Sequence, residues 1–336
     1  MKKKVVTLGE IMLRLSTPNF KRFIQTDSFD VTYGGGEANV AVTLCNYGLQ
    51  GTFVTKVPDN SIGQAAINHL RKYGVDTQYI VKGGKRLGIY FLETGASLRA
   101  SQITYDRENS AIAEATIDDF DFEKIFDNTT WFHTTGITPA LSNKATNLTE
   151  AALKTAKAKG ITTSLDFNYR KKLWTKEKAI EILTKLCKYV DVCIGFEELA
   201  LPIDNTIPPL TEHTIEKYKP IFLEMKQRFG FTYIASTLRE NNDASRNKIS
   251  AFAFDGENLF LTKKYDIRII DRIGSGDAFS GGFIYQLIIG KSLKEAAEFG
   301  VAAAALKHTI PGDFNHSTVN EVESLLRGDE LGRLVR

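Results

Sequence analysis

The stretch Asp271-Arg272-Ile273-Gly274-Ser275-Gly276-Asp277-Ala278-Phe279 sets three small residues and two carboxylates ahead of an apolar helical pattern. That pattern is Phe279, Phe283, Ile284, Leu287 and Ile288. Small residues let successive backbone N–H groups converge on one point, and a helix N-terminus adds unpaired donors and a dipole that favour an anion. A phosphate, or the charge developing on a phosphoryl group in transfer, suits that place. A plainer reading stands beside it: Ser275 and Asp277 are also ordinary helix caps, and one residue can do both.

Three other clusters carry chemistry. Gly34-Gly35-Gly36-Glu37-Ala38-Asn39 precedes a second helical pattern, but it lacks the G-x-G-x-x-G spacing of a dinucleotide site, and Glu37 would repel a pyrophosphate. Tyr90 is followed by Tyr105-Asp106-Arg107-Glu108-Asn109-Ser110-Ala111, and further on comes Asp166-Phe167-Asn168-Tyr169-Arg170. Most arginines end in surface ion pairs of little worth. Two converging on one pocket would instead grip a carboxylate bidentately, which a neutral sugar does not need.

The segment D-R-I-G-S-G-D-A-F resembles the D-T-x-G-A-G-D-x-F signature of the ribokinase-like (phosphofructokinase-B) sugar kinases, with Arg272 and Ser275 where that family has Thr and Ala. Gly34-Gly35-x-x-x-Asn39 resembles its first signature, and the likeness spans nearly the whole chain. The resemblance implies ATP and Mg²⁺ as cofactors and Asp277 as the base that takes the acceptor's hydroxyl proton. It implies an anion hole from the amides of Gly274, Ser275 and Gly276, and Gly34, Gly35 and Asn39 against sugar hydroxyls. Thr237-Leu238-Arg239 resembles the nucleotide-contacting loop, with Asn168 and Arg170 also carried to that side. The run Val301 to Ala305 lines the adenine or simply packs closely. A base at a helix N-terminus is expected to be a weak one, which phosphoryl transfer tolerates because its transition state is loose.

Y-x-R-x-x-S-A and D-x-N-x-R are similar to the acceptor positions of 2-keto-3-deoxygluconate kinases, a branch of that family. This implies Tyr90, Tyr105, Arg107 and Arg170 around an acid sugar phosphorylated on its terminal hydroxyl, giving the 6-phosphate. A kinase of a neutral sugar, fructokinase- or ribokinase-like, is the alternative, and a non-catalytic sugar-binding protein is a further one. One departure concerns the metal. The family's N-x-x-E is replaced by Gly195-Phe196-Glu197-Glu198-Leu199, with Phe196 in the asparagine's place, so no metal ligand is assigned.

The elements that must position these residues follow from periodicity. Buried strands are expected at VVTLGE, GTFVTKVPDN, VDTQYIV, WFHTTGI, ITTSLDFN, VDVCIGF and FTYIAST. Helices are expected over Glu37–Tyr47, Ile62–Tyr73, Asn143–Lys159, Lys176–Cys187, Ile215–Phe229, Asp277–Ile289 and Leu293–Leu306. Such alternation argues for a mostly parallel sheet covered by helices on both faces, with ligands at the strands' carboxyl ends. The resemblance makes this a three-layer α/β/α sandwich with a small β-sheet lid. GIYFLETG and SQITYDREN read as a hairpin. With residues 13–35 they assign 13–35 and 86–110 to the lid, and 1–12, 36–85 and 111–336 to the core. KISAFAFDG and LFLTKKYDI read as an antiparallel pair, and Pro202 to Pro209 as an exposed loop.

Composition excludes several classes. The 336 residues carry 43 basic and 40 acidic side chains, a net +3 without long one-sign runs, so no nucleic-acid footprint is present. Three cysteines without a CxxC and five histidines (His69, His133, His213, His308, His316) without ligand spacing give no metal framework. No signal-peptide core or 18-residue apolar run occurs, so a cytoplasmic protein without a membrane partner is expected. The resemblance adds a homodimer, or a higher homo-oligomer, paired through the lid.

Overall fold

Val5 and Val6 are adjacent in β1 (Lys4–Leu8) and wholly buried, yet they enter different cores. Successive strand side chains point to opposite faces, so β1 must be covered on both sides. A computed structural model, describing residues 2–196, 208–241 and 243–329, shows this around the whole central sheet. After β1 come β2 (Met12–Ser16), β3 (Asp30–Gly34), α1 (Gly36–Asn46), β4 (Gln50–Val57), α2 (Ser61–Lys72), β5 (Ile80–Lys82), β6 (Gly88–Glu93) and β7 (Gln102–Asp106). Then follow α3 (Phe122–Ile125), β8 (Thr129–Thr135), α4 (Ile137–Ala140), α5 (Asn143–Ala158), β9 (Thr162–Asp166), α6 (Lys176–Leu186), β10 (Val192–Ile194) and α7 (Lys219–Phe229). The chain continues through β11 (Tyr233–Asn241), β12 (Arg246–Phe254), β13 (Leu259–Leu261), β14 (Tyr265–Arg268), α8 (Ser275–Ile288), α9 (Leu293–Lys307) and α10 (Val319–Arg327).

The large sheet runs β13-β12-β11-β10-β9-β8-β1-β4-β5, with β14 also on β12. It is parallel from β11 to β5 and antiparallel around β12. Helices α5, α6 and α7 cover one face, and α1, α8, α9 and α10 the other. A second sheet, β3-β2-β6-β7, stands apart from it. Its β6 and β7 form the expected hairpin.

Local sequence explains the helix boundaries. Asn60 caps α2 through the amides of Ile62 and Gly63, and Ser142 caps α5 through Ala145. The expected helix from Ile215 begins instead as a 3₁₀ turn, Ile215–Tyr218, and becomes α7 at Lys219. Pro220 in the first turn explains the join, because proline has no N–H to donate and is best placed there. Helix α10 was not anticipated, although Thr318 and Glu321 form a complete capping box. The run Val301 to Ala305 is buried in the core beside α8, where its small side chains allow close packing. The Glu197, Glu198, Leu199 and Pro202 positions lie outside the described residues. Among the described residues no helix is long and apolar enough to cross a membrane.

Candidate active site

The turn after β14 delivers Gly274 as the N-cap of α8, in the left-handed region at φ 78°. A Cβ there would also stand 2.0 Å from the Asp313 carbonyl oxygen, so both conformation and space demand glycine. No side chain caps this helix. Neither Ser275 nor Asp277 is therefore the cap, and the first-turn amides remain donors without an intrahelical partner. The buried Ser275 hydroxyl instead receives Arg239, 3.3 Å away.

Asp277 is the third residue of α8. Asn39 Nδ2 donates to its Oδ2 at 2.6 Å, while the Asn39 oxygen accepts the Gly35 amide at 3.2 Å. Gly36 leaves room on the other side, where a Cβ would lie 3.5 Å from Oδ1. One carboxylate oxygen is thus held and the other is open.

The electrostatics correct the expectation of a weak base. Burial pushes the Asp277 pKa up to about 6, against the Asn39 hydrogen bond and the Arg170 charge, which pull it down. A helix dipole contributes about 0.3–1 kcal/mol, less than one pKa unit, whereas burial can move a carboxyl by several units. Asp166, at the end of β9, is pushed up to about 7, first by burial and then by Asp277. The two carboxylates resist joint ionisation. Asp166 opens the D-x-N-x-R stretch, and its place at a strand's carboxyl end is the sequence signal for it.

Arg170 is exposed and acts on both acids. Asn168 turns the chain beside it at φ 36°, with its amide on Asp166 Oδ1 at 3.1 Å. Thr237 and Arg239 lie within β11, not in a loop, and Arg239 projects to the anion turn. The Arg239 pKa is held down, first by burial of the charge and then by Arg170 and Arg272. Three guanidinium groups thus crowd one region, which an anion would relieve.

The acceptor-side residues are placed less simply. Arg107 is buried and paired with Glu10, so its charge is already compensated. The other Glu10 oxygen, Oε1, is buried without a partner. Tyr105 is partly exposed and lies beside both Tyr90 and Arg107. Tyr90 is buried, and its hydroxyl donates to Asp313 at 2.7 Å. Gly34 and Gly35 serve close approach: side chains there would strike the Asp313 carboxylate and the Glu10 carbonyl. Glu37 points inward and accepts from Thr135 and Thr138, so it repels nothing in the cleft.

Behind the turn lies a network that local spacing did not reveal. Arg14 on β2 donates to Asp271 at 2.6 Å and to Asp313 at 2.8 Å, all three buried. Phe196 packs edge-on against Tyr218 and Phe222, so a core ring stands where an asparagine was expected. Among the described residues no cluster of three His, Cys, Asp or Glu side chains could hold a metal.

Residues 2–224 and 245–317 match the family described as pfkB family carbohydrate kinase. The 2-dehydro-3-deoxygalactonokinase of Haloferax volcanii is 33% identical over 335 residues, 99% of each chain. The 5-dehydro-2-deoxygluconokinase of Clostridium perfringens is 27% identical over 343 residues, 98% of this chain and 95% of that one. The crystal structure of 2-dehydro-3-deoxygluconokinase from Thermotoga maritima superposes with a TM-score of 0.93 at 49% identity, covering 98% of this chain and 99% of that one.

Proposed function

The chain belongs to the pfkB family of carbohydrate kinases, and from that premise we propose that it transfers the γ-phosphoryl group of ATP to the terminal hydroxyl of 2-keto-3-deoxygluconate, giving the 6-phosphate. The observation that carries the reading is Asp277: one oxygen held by Asn39, the other open, at the head of an uncapped helix.

The acceptor hydroxyl meets Asp277 Oδ1. At neutral pH a carboxyl with a pKa of about 6 is mostly ionised, so it can orient the hydroxyl and take its proton as the new P–O bond forms. The bond from the γ-phosphorus to the bridging oxygen breaks, and ADP leaves with that electron pair. The amides of Gly274, Ser275 and Gly276 and the Arg239 guanidinium face the charge on the transferring group. Arg170 and Asn168 flank the phosphates. Asp166, with one oxygen held by the Asn168 backbone amide, would when ionised offer the hard oxygen donor that suits a hydrated magnesium ion. Such an ion, when bound, neutralises phosphate charge. Glu10, Tyr105, Arg107 and Arg170 surround the acceptor, and Glu10 Oε1 can accept from a sugar hydroxyl. The second sheet closes over the site as a lid built from 13–35 and 86–110, and pairs two copies of the chain.

A neutral sugar is the second reading, favoured by one fact: Glu10 already compensates Arg107. ADP release with ATP and Mg²⁺, measured on 2-keto-3-deoxygluconate, its galactose epimer, fructose and ribose, separates the two. Turnover on the keto acids, reduced about a hundredfold or more in Asp277→Asn, is expected. Turnover on fructose or ribose alone would retire the acid-sugar assignment and keep the kinase.

A further inference from the structure

Lys307, the last residue of α9, has no exposed surface, and its ammonium donates to the Ile310 carbonyl at 2.9 Å. Burying an ammonium is costly unless charges and hydrogen bonds offset it, and the transfer chemistry above does not use this one. Its surroundings show what does the offsetting. The loop it leads into, 308–313, lies against the anion turn at three places. The His308 carbonyl accepts the amides of Ile270 (2.8 Å) and Asp271 (3.1 Å). The Asp271 carboxylate accepts the Gly312 amide at 3.0 Å. The Asp313 carbonyl fills the space beside Gly274.

Charge completes the picture. Burial lowers the Lys307 pKa; Asp271, Asp313 and Asp277 act to hold its proton, and Arg14 acts against it. Two cations thus act on the same two carboxylates, Asp271 and Asp313: Arg14 through direct ion pairs, Lys307 through its charge alone. Tyr90 donates to Asp313 from the lid sheet, and the His308 ring is held on the Ala304 carbonyl.

We infer that Lys307 is a positioning residue for phosphoryl transfer: its buried ammonium pins the 308–313 loop and, with Arg14, balances Asp271 and Asp313, keeping the Gly274–Gly276 amides and Asp277 in place. Without that charge, the acids behind the turn exceed the cations by one. The excess negative field reaches Asp277 and raises its pKa further, and the loop loses the bond that fixes Ile310. A displacement near 1 Å at a transfer site costs roughly a hundredfold in rate. The competing account, a lysine whose stem merely fills the core, predicts neither effect.

The inference rests on the kinase reading, and its test separates the two. Lys307→Met keeps the stem and removes the charge. Its kcat is expected to fall about tenfold to a hundredfold, with acceptor KM little changed and the acid limb of kcat/KM moved to higher pH. In Lys307→Ala, methylammonium chloride should restore activity several-fold, and choline chloride should not. Lys307→Met with wild-type kcat and an unmoved acid limb overturns the inference. So does a loss of activity that leaves the limb unmoved and responds to neither amine. If Lys307→Met is recovered unfolded, Lys307→Ala refolded in methylammonium or choline decides the matter: recovery only with methylammonium supports the inference, and equal or no recovery overturns it. Absence of wild-type turnover would remove the kinase reading and this inference together.

Discussion

Asp277 and Asp166 form the part of the site whose behaviour is set residue by residue. Both carboxyls have raised pKa values, about 6 and about 7, with burial the first cause. A protonated Asp277 cannot take the acceptor's proton, so kcat/KM should rise with pH through about 6 and fall about tenfold per unit below it. Asp166 has the higher pKa and is already mostly protonated where Asp277 titrates, so Asp166→Asn should leave the acid limb in place; a limb that moves to lower pH would mean Asp166 is ionised first. Asp277→Asn should cost about 10²–10⁴ in kcat. The same shifts affect stability. A carboxyl with a raised folded pKa binds protons more tightly folded than unfolded, so the stability it contributes declines as pH rises from near 4 to near 7. Asp166→Asn should therefore melt a few degrees above wild type at pH 8 and together with it below pH 4, read by calorimetry.

At the scale of elements, the turn before α8 is placed by β2 and by the loop after α9, through Arg14. Arg14→Met leaves Asp271 and Asp313 buried with one cation fewer, and breaking such a group costs about 3–5 kcal/mol. Urea unfolding should show that loss, with kcat falling alongside; a variant as stable as wild type would mean the network adds nothing. Here the limits of the sequence become visible. The apolar side of α5, with Ala145, Leu148, Ala152 and Ala156 buried, was legible because a helix repeats locally. The anion turn and the Asn39 motif were legible because their residues are contiguous. Arg14 and Asp313 are 299 residues apart, and nothing local links them. Arg107 and Tyr90 were visible as residue types, but whether each faces a ligand or a neighbour depends on Glu10 and Asp313, which lie on other elements. The Asp277 environment was misjudged for a similar reason: a helix N-terminus is a sequence feature, whereas burial is a property of the assembled fold.

At the scale of the whole molecule, the second sheet has two unlike faces. Strand register puts Thr32, Arg14, Tyr90 and Tyr105 in one row, and Val31, Leu15, Phe91 and Thr104 in the next, on the opposite face. The first face holds the Arg14–Tyr90 network with the buried Leu92, and so looks onto Asp271 and Asp313 behind the anion turn. The second face is apolar but unfilled: Val31 is 59% exposed, and Leu13, Leu15, Ile89 and Phe91 are only half-buried. A face of this kind on a small sheet with open edges invites a like surface, and a two-fold axis lets one patch pair with itself. The chain should therefore run as a homodimer at low micromolar concentration in light scattering after size exclusion. Leu15→Glu with Val31→Asp places charges in the middle of that face and should give a folded monomer. If dimerisation steadies the lid, the monomer should show a higher acceptor KM while kcat, set by the turn before α8, changes less. A wild-type monomer mass would refute the pairing, and a dimer that survives both charges would place the interface elsewhere on the molecule.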